Sequence, residues 1–313
     1  AAAGHVQGVL GRPSSVTPLT ARTQADRDLV ALLFRGLVRL GPGNSVLPDL
    51  ADRWAVEEGG AAWTFHLRED ARWHDGVPVS SADVVYTVHV LQDPGYGGPL
   101  AATWARVDVT AIDARTVRFE LGDPVGGFLQ AATLPLLPAH LLEGVAADAL
   151  ADHPFARAPL GDGPFALVDL TTDAAVLEPV LPPVVDPAEP LADPGPGAVE
   201  PRTPRLARLE LRFYDTPGAL AAAFAAGDVG SAGDLPAADA LALAATTPET
   251  QVIRYPGTIV TAVAFDLRSP KSPFADPRTR RALLAALDRA ALIENLLGGA
   301  GARADTLIPP SSW

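Results

Sequence analysis

The sequence predicts a mixed α/β or α+β fold, and three observations carry that prediction. Short segments alternate large apolar with polar residues, the period of a half-buried strand, as in Trp63-Thr64-Phe65-His66-Leu67-Arg68 and Thr116-Val117-Arg118-Phe119-Glu120-Leu121. Other segments space their apolar residues along one helix face, Leu29, Leu32, Leu33 and Leu37 being the clearest. The two kinds of segment follow one another without strict strand–helix–strand order and without an internal repeat, so mixed sheets are expected.

Taken in order, His5-Val6-Gln7-Gly8-Val9-Leu10 predicts a short strand broken by Gly11-Arg12-Pro13. A loop rich in Ser, Thr and Pro runs to Gln24. The helix through Leu37 follows, with Asp26 and Asp28 near its start, where the helix dipole favours carboxylates. Gly41-Pro42-Gly43-Asn44 is turn chemistry, and a hairpin is expected around Trp63–Arg68. Ser80 and Asp83 have capping-box spacing and open a helix through Val84, Val88 and Leu91. After the strand at Thr116–Leu121, Pro135-Leu136-Leu137-Pro138 interrupts before a short helix near His140 to Leu142. Gly161-Asp162-Gly163-Pro164-Phe165 is a turn feeding a strand. Residues 181–204 are Pro-rich and read as an exposed loop or insertion. Leu209, Leu211 and Phe213 mark a strand, Thr216-Pro217 starts a helix, and Gly227 ends it. A strand from Ile259 to Leu267 and one helix from Asp276 to Leu297 complete the expected elements.

Composition narrows the function. The 313 residues are 48% hydrophobic, enough for a buried core in two ordinary domains or one large one. A formal net charge of −13 argues against a nucleic-acid partner, which needs a basic face. There is no cysteine, hence no disulfide framework, thiolate nucleophile or cysteine-bound metal. The chain also lacks methionine, so Ala1 is expected to follow a removed leader or another boundary. Any export signal or lipid-bearing cysteine is expected in that leader. No run approaches the roughly 18 apolar residues needed to cross a bilayer.

Catalytic motifs are not apparent. The histidines, His5, His66, His74, His89, His140 and His153, show no metal-ligand spacing. His74-Asp75-Gly76 is read as a turn after Trp73 rather than as an acid–base pair. Glu57-Glu58 are adjacent in an expected turn, and the glycine cluster after Leu297 follows a helix instead of opening one, so it is badly placed to hold a phosphate. No catalytic residue, metal site or cofactor is assigned.

The segment from Gly36 to Thr87 carries a resemblance. It contains Leu47-Pro48-Asp49-Leu50-Ala51-Asp52-Arg53-Trp54, then Trp63-Thr64-Phe65-His66-Leu67-Arg68, Trp73-His74-Asp75-Gly76 and Ser81-Ala82-Asp83-Val84-Val85-Tyr86. This series resembles the extracellular solute-binding proteins of family 5, which include dipeptide, oligopeptide and nickel binders. Asp113–Phe119, Pro159–Phe165 (with Asp162 where the family usually has threonine), Ala222–Asp228 and Asp276–Leu283 with Asp288-Arg289 extend the resemblance over the chain outside the Pro-rich segment. Trp54, Trp63, Phe65 and Trp73 are expected to pack in the core.

The resemblance implies a two-lobed, periplasmic-binding-protein-like (type II) α/β fold with mixed sheets. Residues 1–46 and 156–257 would form the main part of lobe one, 47–155 its subdomain, and 258–313 the start of a lobe two left incomplete at Trp313. Ligand binding by residues 1–313 alone is accordingly expected to be weak. The implied function is capture of a small solute, foremost a short peptide, for an ABC importer by hinge closure. The alternative is a secreted hydrolase or a ligand-sensing module on the same fold. Implied partners are the ligand and the permease subunits of the transporter. The protein is expected to be an extracytoplasmic monomer, in the periplasm or at the cell surface, touching a membrane only through a lipid anchor on the removed leader. Two segments are placed at the cleft: the loop Thr20-Ala21-Arg22-Thr23-Gln24 and the crossing strand Gly257–Ala262. Arg22, Thr23 and Gln24 are candidate ligand contacts, Arg22 as a bidentate partner for a carboxylate or, equally, as a solvated surface residue. Trp104 is a candidate for the cleft rim. Thr258, Val260 and Thr261 are candidates for pairing with a peptide as an added strand.

Overall fold

The structure, a computed structural model, describes residues 3–41, 45–180, 206–247, 249–253, 262–269, 271–299 and 301–304. The chain divides into two compact units, residues 1–234 and 235–313.

In the first unit, β1 (Gly4–Leu10) leads through a loop into α1 (Gln24–Leu33). β2 (Val38–Leu40) and β3 (Val46–Pro48) pair antiparallel across the expected turn, whose residues 42–44 lie outside the described residues. Then come β4 (Ala51–Glu57), β5 (Ala62–Leu67), α2 (Ser81–Gln92), α3 (Ala101–Trp104), β6 (Val107–Asp113) and β7 (Thr116–Leu121). Two short helices, α4 (Phe128–Ala131) and α5 (Ala139–Leu142), precede β8 (Phe165–Leu170) and β9 (Ala174–Pro179). The Pro-rich 181–204 segment lies outside the described residues. β10 (Arg208–Tyr214), α6 (Pro217–Ala226) and β11 (Ser231–Ala232) close the unit.

Two sheets organise these elements. The main sheet has the order β11-β1-β10-β9-β8, with β1 parallel to both β10 and β11 and the remaining pairs antiparallel. The second is the antiparallel β4-β5-β7-β6, built wholly from residues 51–121. Alternation works here as expected. Trp63 and Phe65 face one side of β5 and lie opposite Phe119 and Val117 of β7, all four buried. The Phe65 and Phe119 rings meet edge-on with centroids 5.6 Å apart, and Phe128 packs 5.3 Å from Phe119. Trp73 is buried and Trp54 partly so, as expected of core residues.

The local start and stop signals also operate. Ser80 and Asp83 form the capping box of α2, and the Thr216 hydroxyl caps α6 with Pro217 in the first turn and a left-handed Gly227 at its end. Two helix bounds differ from expectation. α1 stops at Leu33 rather than continuing to Leu37. The Leu33 carbonyl accepts from the N–H groups of Asp162 at 3.0 Å and Gly163 at 2.8 Å, and Phe34 is already extended. The expected single helix Asp276–Leu297 is two, described below.

The second unit contains α7 (Ala237–Thr246), α8 (Pro277–Ala286) and α9 (Arg289–Leu297). Asp276 caps α8, and the side chain of Asp288 accepts from the Ala291 N–H to start α9, so a second capping carboxylate breaks the helix in two. Gly298 ends α9 in a left-handed conformation. The strand expected over Ile259–Leu267 lies partly outside the described residues, and residues 262–267 have no strand pairing among those described.

Candidate functional site

The main sheet points to one end of the first unit. In open α/β sheets, ligands bind beyond the carboxyl ends of parallel strands. The chain leaves the carboxyl end of β1 at Leu10 and forms the loop that holds Arg22, Thr23 and Gln24 before turning into α1.

That loop is organised by Asp26, a carboxylate with no solvent exposure. Its Oδ1 accepts from the backbone N–H of Ser14 at 2.6 Å and Ser15 at 3.1 Å. Its Oδ2 accepts from the Ser14 hydroxyl at 2.9 Å and from the N–H of Arg22 and Thr23, each at 2.8 Å. Burial pushes the carboxyl up, but the four backbone N–H groups outweigh it and hold the carboxyl below the ordinary aspartate range. Both ends of the loop are thereby tied to the first turn of α1. A Ser15–Thr20 hydroxyl contact at 2.6 Å and a hydrogen bond from the Tyr96 phenol to the Leu19 carbonyl at 3.1 Å fix its middle.

This network divides the three candidates in the loop. The Thr23 hydroxyl accepts from the Asp26 N–H at 3.0 Å and is spent on helix capping. The Gln24 amide donates to Asp28 at 2.7 Å and accepts from Arg27 at 2.9 Å, so it is engaged along the helix surface. Arg22 is exposed, and among the described residues its guanidinium has no ion-pair partner, while its carbonyl accepts from Arg27. Among the described residues, the loop thus presents one cation without an ion-pair partner. Sequence reasoning missed Asp26 as the organiser, although Thr23-x-x-Asp26 has the same capping-box spacing that marked Ser80 and Asp83.

Trp104 requires a correction. It is 3% exposed and packs against Phe119 and Phe128, with centroids 6.1 and 5.9 Å away. The ring is core to the 51–121 sheet and does not line a rim. Thr258, Val260 and Thr261 lie outside the described residues.

His74-Asp75-Gly76 forms the expected turn, with Gly76 at φ +88° and its N–H donating to the Trp73 carbonyl at 2.8 Å. The turn also does something the sequence did not announce. The His74 N–H donates to the Gly161 carbonyl at 2.8 Å, and His74 Nε2 lies 3.0 Å from the Gly163 carbonyl. Asp75 meets His140 at 2.9 Å. This turn joins the 51–121 region to the strand start of the main sheet. Glu57 and Glu58 both pair with Arg118, a structural use of adjacent carboxylates. Among the described residues there is no cluster of three or more His, Cys, Asp or Glu able to hold a metal.

Residues 45–313 match the family described as bacterial extracellular solute-binding proteins, family 5 middle. The chain belongs to this family. Among family 5 relatives, the dipeptide-binding protein of Escherichia coli (strain K12) is 27% identical over 334 residues, covering 97% of this chain and 57% of that protein. Heme-binding protein A of Haemophilus influenzae is 26% identical over 302 residues, covering 90% of this chain and 52% of that one. The periplasmic murein peptide-binding protein MppA of Escherichia coli is 30% identical over 142 residues, covering 40% of this chain and 26% of that one. The chain spans about half the length, or less, of these relatives. In fold it is similar to the oligopeptide-binding protein AppA of Bacillus subtilis, solved with a nonapeptide, at a TM-score of 0.75 and 24% identity over 100% of this chain and 59% of that one. The structure of NikZ from Campylobacter jejuni with Ni(L-His) also gives a TM-score of 0.75, at 23% identity over 95% of this chain and 55% of that one. The fold is therefore the type II periplasmic-binding-protein fold, α/β with several mixed and antiparallel sheets. Among the described residues no helix is long and apolar enough to cross a membrane.

Proposed function

We propose that this family 5 chain belongs to an extracytoplasmic receptor that captures a small solute, foremost a short peptide, and presents it to the permease of an ABC importer. The observation that carries the reading is the Ser14–Gln24 loop: it leaves the carboxyl end of β1, is fixed by a buried carboxylate, and presents Arg22 exposed, with no ion-pair partner among the described residues. An ordered loop with an exposed guanidinium suits a ligand carboxylate such as a peptide C-terminus. Binding would favour a closed arrangement because the ligand touches both lobes there, and the permease would recognise closure. No bond is made or broken.

The proposal retains the lobe assignment of 1–46 with 156–257 as the main part, 47–155 as subdomain and 258–313 as the start of lobe two. Its support in the first unit is that residues 51–121 supply one complete sheet, while the main sheet draws strands from both sides of them. The boundary near residue 258 rests on the family resemblance. Thr258, Val260 and Thr261 are retained as backbone contacts to the ligand, and a lipid anchor on a removed leader as the route to the membrane surface.

The test is to incubate the whole receptor to which this chain belongs with a mixture of short peptides and identify the bound species by mass spectrometry at intervals. Recovery of intact peptide at constant yield is expected. Shortened products accumulating with time would make the protein a hydrolase and overturn the reading.

A further inference from the structure

The turn that terminates α1 contains a fully buried acid. Asp162 lies between Gly161 and Gly163, and a Cβ on Gly161 would run into the Leu33 carbonyl and one on Gly163 into the Leu32 and Leu33 carbonyls, so the turn is pressed directly against the end of α1. The side chain of Asp162 points inward. Oδ1 accepts from the Arg35 N–H at 2.9 Å, whereas Oδ2 is 3.7 Å from Arg35 Nε, too far for a hydrogen bond, and both atoms are buried without a hydrogen-bond partner among the described residues. Arg35 Nη1 lies 4.0 Å from a second buried carboxylate, Asp49, between β3 and β4.

Two buried carboxylates thus share one guanidinium. Arg68 acts on Asp49 from β5's end, but its guanidinium is held in a two-pronged pair by Asp70 at 2.9 Å. Asp52 and Asp75 add negative charge nearby, and burial lowers His74, packed on Gly161, against the raising effect of the Gly163 carbonyl, so its charged form is disfavoured. With Asp162 ionised, a wholly buried side chain would carry charge on an oxygen that has no hydrogen-bond partner among the described residues, and a proton removes that charge.

We propose that Arg35, Asp49 and Asp162 form a one-proton latch: a proton on Asp162 keeps the Gly161–Gly163 turn seated between α1 and the His74 turn, and its loss weakens that junction as the surroundings turn alkaline. Oδ2, the oxygen left without a partner, receives the proton. The elements held are the end of α1, the β3–β4 link, the His74 turn and the start of β8, which are the places where the 51–121 region joins the main sheet.

Burial pushes the Asp162 carboxyl up from 3.8 to about 7, against the pull of Arg35. A raised value means that the folded protein holds a proton the unfolded chain has released. Stability from this group is therefore complete below the ordinary aspartate range and is lost as the pH rises to about 7. For this shift the unfolding constant rises about ninety-fold between pH 5 and pH 8. His74, with its value lowered by burial, contributes in the opposite direction and cannot produce the same trend.

The experiment compares the wild type with Asp162→Asn by denaturant unfolding at pH 5 and pH 8, together with hydrogen exchange at the His74, Asp162 and Gly163 amides. In the wild type the unfolding constant should rise steeply and protection of those three amides should fall, after correction for intrinsic exchange. In Asp162→Asn that part of the rise should vanish. A variant that keeps the wild-type pH profile, or wild-type amides whose protection ignores pH, overturns the latch. Should Asp162→Asn not fold, Asp49→Asn serves instead: with its competitor gone, Asp162 ionises beside Arg35 at lower pH and the transition moves down, and an unmoved transition counts against the proposal.

Discussion

Replacing Asp26 is the most direct test of how the Ser14–Gln24 loop is held. Its carboxylate accepts from four backbone N–H groups and one hydroxyl, and its residue is wholly buried. Hydrogen bonds to a charged acceptor contribute about 1.5–3 kcal/mol each, but they are not additive here. Ser14 is exposed and its groups can turn to water, while Ser15 is buried and its N–H cannot. Arg22 is exposed likewise, so counting the Ser15 and Thr23 donors as those left unmatched, Asp26→Ala should cost roughly 3–5 kcal/mol in urea unfolding. Asp26→Asn keeps one accepting oxygen but turns an NH2 toward N–H donors, so it should cost about 2–3 kcal/mol. Hydrogen exchange should show Arg22 and Thr23 amides losing protection first. A pH arm separates charge from shape. The carboxyl is held below its ordinary value, so the wild-type advantage exists above about pH 4 and is lost as the pH falls through the lowered folded value. The Asn variant should lack that acid-limb loss. A cost under about 1 kcal/mol for Asp26→Ala would refute the claim that this carboxylate sets the loop.

Three further outcomes are expected. Arg22→Ala should leave the melting temperature unchanged, since the side chain is exposed, and weaken binding of a peptide recovered with the protein about tenfold by calorimetry. Trp104→Ala should destabilise by about 3–5 kcal/mol in chemical unfolding, because the ring fills the core against Phe119 and Phe128, and should not act selectively on binding. Gly163→Ala should cost about 2 kcal/mol or more by the same assay, since the added carbon would sit 2.6 Å from the Leu32 carbonyl oxygen and nothing but backbone is there to give way.

What the sequence discloses depends on how far apart the deciding residues lie. The β5–β7 ladder was legible because alternation is a property of six consecutive residues, and the start of α2 because Ser80 and Asp83 meet within one turn. The break between α8 and α9 was legible in principle, Asp288 being a capping residue inside a helical pattern, but apolar spacing on both sides concealed it. The end of α1 was not legible at all: the Leu33 carbonyl is taken by N–H groups of Asp162 and Gly163, which only the folded chain brings near. Trp104 failed for a related reason. An aromatic residue on a four-residue helix has the same local pattern whether it faces a cleft or a sheet, and only the placement of Phe128 decides. The same distinction sorts the site. Arg22 stands next to Thr23 and Gln24 in a polar loop, and no local feature tells which of the three is free. The carboxylate that separates them is Asp26, since by occupying the N–H groups of Arg22 and Thr23 it fixes the backbone there, and with Thr23 and Gln24 bound back to the helix only the Arg22 side chain of the three has no hydrogen-bond or ion-pair partner among the described residues, which is why the proposed function turns on it.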